Sequence, residues 1–270
     1  MCIRDRCSAA LDESGEATSL QTVSYSDTTW ALLFNAAEGS VFQNQQLRQA
    51  LAGIARENVT VPSGGLYAAA KGLVPEGLTV DGLDYRDAAG DPLPTISEPK
   101  ALYLAARQGM ATSDFSGVTL LLPKNAGLSE LADQINSAWQ KECSLFFSVE
   151  EVEQDEFDAR IAAGKYTIAL APIRAEGGSV YQMLQQFTAA GGSLTGYADT
   201  VYADRLALSA QQTGKDRCAL LAQCERQLLE SCTVVPLMAQ QKRLLLANGV
   251  RDLVFDPFFP VLDLTWAKIS

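Results

Sequence analysis

Residues 28–35, TTWALLFN, form a short apolar run rich in aromatic side chains and closed by polar residues, the pattern of a buried strand. The period then lengthens. Over residues 44–57, NQQLRQALAGIARE, Leu47, Leu51 and Ile54 fall on one face of a helix whose N-cap is Asn44. Residues 61–96 are punctuated by Gly and Pro and read mostly as loop. A helix restarts at Ser97, with Pro99 tolerated in its first turn.

From residue 118 the two periods alternate. Strands are predicted at 118–122, 145–149 and 166–172, and helices at 128–141 and 153–164, the second stopped by Gly164. Leu128, Leu131, Ile135 and Trp139 line one side of the first helix. Strands separated by helices of this length predict βαβ units, a largely parallel sheet and an α/β fold. A short helix at 180–187, a loop at 191–196 and helices at 200–211 and 215–232 follow. The tail, 233–270, reads as strands and turns, and no internal repeat is visible.

Composition narrows the chemistry. The chain has 270 residues, 47% of them apolar and 20% charged, enough for a packed core. A net charge of −11 and a pI near 4.5 argue against nucleic acid and anionic membrane surfaces as partners. There is no histidine, which excludes Ser-His-Asp and Cys-His catalysis and every zinc site that uses His. No run approaches about 18 consecutive apolar residues.

Of six cysteines, Cys218, Cys224 and Cys232 fall on one predicted helix. At about 1.5 Å rise per residue they stand too far apart to pair with each other. A long-range bridge such as Cys143 to Cys224 stays open beside the plainer reading, in which the thiols are small buried apolar groups.

The remaining motifs are sparse. Ser97-Glu98-Pro99-Lys100 matches the S-x-x-K of acyl-serine enzymes but lacks the companion S-D-N and K-T-G, so Ser97 reads better as an N-cap. Asp84, Asp87 and Asp91 lack calcium-loop spacing. Asn58-Val59-Thr60 fits a glycosylation acceptor, a triplet that is common by chance. No phosphate-binding loop is present. A well-organised α/β chain without a catalytic constellation points to a binder rather than an enzyme, with no cofactor.

An ordered series of segments resembles the family 5 extracellular solute-binding proteins, the peptide- and nickel-binding subunits of ABC importers. Phe34-Asn35 ends a strand, and Leu47-Arg48-Gln49-Ala50-Leu51 with Ile54-Ala55-Arg56-Glu57 resembles the helix that follows it in that family, Ala55 standing where Asp is usual. Residues 65–77 are similar to the family's Gly- and Pro-rich loop, and 118–171 to its βαβαβ lobe. Residues 195–206 are similar to its Tyr-rich segment, and 217–237 to its late helix running into a hinge strand with Val-Pro-Leu.

The resemblance implies a type II periplasmic-binding-protein-like fold, two lobes closing on a ligand, with one lobe nearly complete here. Residues 7–35 would be a remnant of the first lobe and hinge, 36–232 the second lobe, and 233–270 the hinge return and part of the first. It further implies a monomer outside the cytoplasm, as a periplasmic protein or membrane-anchored lipoprotein, that takes a peptide or related solute and delivers it to a membrane permease.

Where peptide binders carry an Asp for the peptide ammonium, this chain has Pro172, followed by Arg174 and Glu176. The expected ligand contacts are therefore Asn35, Arg174, Glu176 and Tyr181, with no metal. Arg174 and Glu176 would suit a carboxylate or a zwitterion, or else simply pair with each other. Two other readings remain: an acyl-serine hydrolase using Ser97 and Lys100, and the solute-sensing domain of a transcription regulator. The first six residues, MCIRDR, match a translated transposon end of the kind used in sequencing libraries. They are expected to be an adapter artefact on a truncated reading frame.

Overall fold

A computed structural model describes residues 20–62, 65–124, 126–247, 250–251, 254–255, 262–263, 265 and 268–269. The MCIRDR head, Cys2 and Cys7 lie outside them.

A six-stranded sheet organises the chain, in the order β2-β8-β1-β7-β5-β6. Its strands are β1 (Leu20–Phe34), β2 (Tyr67–Ala69), β5 (Thr119–Pro123), β6 (Ser148–Val152), β7 (Ile168–Arg174) and β8 (Val234–Ala247). Two-residue strands β3 (Thr79–Val80) and β4 (Leu83–Asp84) make a separate small hairpin. The helices are α1 (Gln45–Asn58), α2 (Tyr85–Ala89), α3 (Pro99–Ala106), α4 (Ser129–Cys143), α5 (Gln154–Ala162), α6 (Val180–Gln185), α7 (Thr200–Ser209) and α8 (Gly214–Glu230).

Period-two alternation explains why the central strands are apolar throughout. Trp30, Leu32 and Phe34 of β1, with Leu120, Leu122, Ile168 and Leu170, enter one core beneath α1, α3 and α4. Ala31, Leu33, Leu121, Ala169, Ala171 and Ile173 enter a second core beneath α5 to α8. The sheet is covered on both faces, a helix–sheet–helix sandwich. Trp139 of α4 is fully buried in the first core, and its indole N–H donates to Leu51 O of α1 at 2.9 Å, fastening two helices together.

The sheet is less parallel than the sequence pattern predicts. β5 runs parallel to β6 and β7, but β1 is antiparallel to β7 and β8, and β8 to β2. Helices connect β5 to β6, β6 to β7 and, through α6 to α8, β7 to β8, but β1 is inserted between β7 and β8 and runs antiparallel to both. β6 also begins three residues later than expected, because Leu145 and Phe147 pack into the core before the ladder starts.

Nor does Ser97 cap α3. Glu98 holds the N-cap position with φ +51° and no side-chain cap bond, and Pro99 is the first helical residue. The Cys143–Cys224 bridge does not form. Both thiols are free, in separate cores, as are Cys218 and Cys232.

Candidate functional site

β1 and β8 outrun the rest of the sheet together. Thr28 to Leu33 pair with β8 inside the sandwich, and Leu20 to Tyr25 continue alongside Lys242 to Ala247 as a two-stranded ribbon. The register shifts between Tyr25 and Thr28, a β-bulge at Ser26 and Asp27. The bulge is tied down on both sides. The Asp27 carboxylate accepts from Lys242 Nζ at 2.6 Å and from Thr28 Oγ1 at 2.7 Å, and Asp27 O accepts from Ala175 N at 2.9 Å. The carboxyl ends of the parallel strands open at this same end of the sheet, since Thr28 lies opposite Arg174. Ligands of open α/β sheets bind at such an end.

The four expected ligand residues do not converge. Arg174 ends β7, Glu176 is in the exposed turn after it, and Tyr181 begins α6, half-buried against the second core. These three share the bulge end of the sheet. Among the described residues Arg174 and Glu176 form no ion pair, contrary to the simple pairing the sequence left open, and both are exposed. Asn35 sits at the other end of the β1–β7 pair, roughly 20 Å away at about 3.4 Å per residue. Its amide is committed to the fold: Nδ2 donates to Gly164 O and Tyr166 O, each at 2.9 Å, and Oδ1 accepts from Ala37 N at 3.0 Å. Asn35 therefore clamps the end of β1 to the entry of β7.

Pro172 has a geometric explanation. β5 pairs with β7 only at Ile168 and Ala169, so the later part of β7 has an open side. Ala175 N bonds Asp27 O, so by alternation the odd positions face β1 and Pro172 faces the open side. Proline loses no ladder bond there.

The family-like Arg48 proves to be structural. Its guanidinium is buried and donates to Ser231 O at 2.9 Å, Phe42 O at 2.6 Å and Gln43 O at 3.1 Å. Burial pulls its pKa below the usual value. Carbonyls at the end of α8 supply the compensating negative potential. Arg48 thus pins the entry of α1 to the point where α8 turns into β8.

The acyl-serine geometry is absent. Ser97 is exposed outside the helix, and Lys100 Nζ pairs with Glu142 at 3.1 Å. Asp84 caps α2 through Asp87 N, and Asp91 accepts from Leu93 N. Among the described residues no cluster of three metal-ligating side chains occurs, and no helix is long and apolar enough to cross a membrane.

Sequence reading missed the bulge residues. The polar run 24–28 is the signal that was there: it sits just before the apolar stretch 30–34, where the bulge falls.

Solved structures share this architecture. Listeria monocytogenes OppA bound to peptide superposes with a TM-score of 0.73 at 18% identity, covering 96% of this chain and 52% of that one. The substrate-binding domain of an oligopeptide ABC transporter from Bacillus anthracis gives 0.74 at 17%, covering 97% and 56%. HbpA2 from Haemophilus parasuis gives 0.73 at 15%, covering 97% and 52%. The chain has the periplasmic-binding-protein fold. It spans about half the length of these structures. At such identities the likeness establishes the fold alone. No family model matches the sequence, and no curated relative does.

Proposed function

We propose that this chain contributes the larger part of one lobe of an extracytoplasmic solute-binding protein, and that it works by capture rather than catalysis. The observation that carries this reading is the bulged β1–β8 pair leaving the sandwich at the end where the parallel strands expose their carboxyl termini. Two adjacent strands crossing between lobes are a natural hinge, and a ligand gripped between the lobes favours closure through contacts made only when they meet. On this reading residues 36–232 are the lobe between the crossings, and 233 onward returns to the other lobe. A membrane permease receives the solute, and the protein acts as a monomer.

A peptide is the solute class the similar structures favour. Arg174 and Glu176 offer opposite charges at the end of β7. Neither is consumed by a partner across the gap, so a zwitterion can engage both.

The test is native mass spectrometry of the full-length natural protein for co-purifying solutes, followed by calorimetry with those recovered. Peptides should be found, and Arg174→Ala and Glu176→Gln should each weaken binding about tenfold to a hundredfold, the range of one charge-assisted hydrogen bond. Recovery of no small solute, or unchanged affinity in both variants, would sink the assignment.

A further inference from the structure

A second polar feature lies across β1 from Arg174. The segment 68–76 arches over β1 and β8 at the bulge and encloses a small cavity of about 30 Å³. Ser26 and Thr29 line it, and both hydroxyls are buried with no hydrogen-bond partner. Their exposures are 6% and 0%. A buried hydroxyl left unpaired costs about 1–3 kcal/mol, so two of them facing one cavity on a hinge strand call for an occupant.

The surroundings restrict its chemistry. The charged groups close to the site already have partners: Lys71 with Glu76 at 2.6 Å at the mouth, Asp27 with Lys242 at 2.6 Å behind the bulge, and Arg86 with Glu225 at 2.9 Å beside Gly72. An ion entering would find no spare countercharge, so the occupant is neutral. The volume suits about two water-sized groups side by side. Each hydroxyl can both donate and accept. A primary carboxamide has that pair of features, one carbonyl oxygen and one NH₂, on a single carbon.

We propose that this cavity is a subsite for a primary carboxamide of the bound solute, as on an Asn or Gln side chain. The inference deepens the proposed function and rests on it only for the source of the group. The pocket itself can be tested without knowing the solute.

The experiment is an amide-resolved NMR titration of this chain with acetamide, in parallel with acetate and methylammonium. Acetamide should shift the amides of Ser26, Thr29 and Gly72 saturably, while the two ions should not. Ser26→Ala and Thr29→Val, each checked for a parent-like spectrum elsewhere, should weaken the acetamide response at least tenfold. Equal responses to the ions, an unchanged response in both variants, or two tightly held waters that acetamide does not displace would each overturn the proposal. Failure of peptide calorimetry with the acetamide response intact would instead refute the solute-binding reading and leave the pocket standing.

Discussion

Glu225 is fully buried on α8 and is held by four donors: both terminal nitrogens of Arg86, Tyr85 Oη and Val74 N, at 2.9 to 3.2 Å. The cluster staples residues 72–90 onto α8, and it leaves no room at Gly72, where a Cβ would fall 2.7 Å from both Arg86 and Glu225. Burial pushes the Tyr85 phenol well above its usual pKa, and the neighbouring Glu225 carboxylate pushes it further. Glu225→Gln should cost about 3–5 kcal/mol in urea unfolding, because it strands a buried guanidinium. The paired replacement Arg86→Met with Glu225→Leu should recover most of that loss. The buried thiols make a second test at this scale. Burial raises Cys143 and Cys224 to about 12 and Cys232 to about 11. Few thiolates exist at pH 8 in the fold, so iodoacetamide with peptide mapping should modify these three only after denaturant is added. Because these acids hold their protons longer folded than unfolded, the stability they carry is present below about pH 9 and lost as pH rises above it.

Elements with a strong period were legible, and those set by context were not. α1 begins after Asn44, whose side chain accepts from Leu47 N as the sequence suggested. Leu131, Ile135 and Trp139 of α4 are buried as their spacing required. The loop 61–96 hid β2 and the β3–β4 hairpin, because strands of two or three residues carry no measurable alternation. Arg174 and Glu176 do not pair because β7 ends at Arg174 and Glu176 already opens the following turn, a break the spacing does not reveal. One cap carries a pH prediction. Asp199 caps α7 through Tyr202 N at 3.0 Å and also accepts from Tyr197 Oη at 2.9 Å and Gln227 Nε2 at 2.8 Å. Burial alone would raise this carboxyl, but the hydrogen bonds outweigh it and hold the pKa below its usual value of 3.8. The stability it confers is therefore present above about pH 4 and lost as pH falls through the lower folded value. Thermal scans of Asp199→Asn should show a lower Tm at pH 7 and a flatter acid limb. An acid limb identical to that of the parent would assign the sensitivity elsewhere.

For the whole molecule, the α/β class followed from alternating periods, but strand direction did not, since hydrophobicity marks which face is buried and not which way the chain runs. The colinear segments carried the resemblance further than any single motif. They singled out Arg48 and Asn35, and the side chains of both are committed to hydrogen bonds that tie segments of the fold together. Asp27 and Lys242 are separated by 215 residues, and β8 lies beside β1 on the edge opposite β7. Closing a loop of that length costs roughly 5 kcal/mol by the logarithmic law. On a ribosome, β1 emerges well before β8, and the edge it later shares with β8 stays unpaired in between. The β1–β8 seam therefore closes late, and a chain stopped before β8 would offer that bare edge to whatever strand it met first.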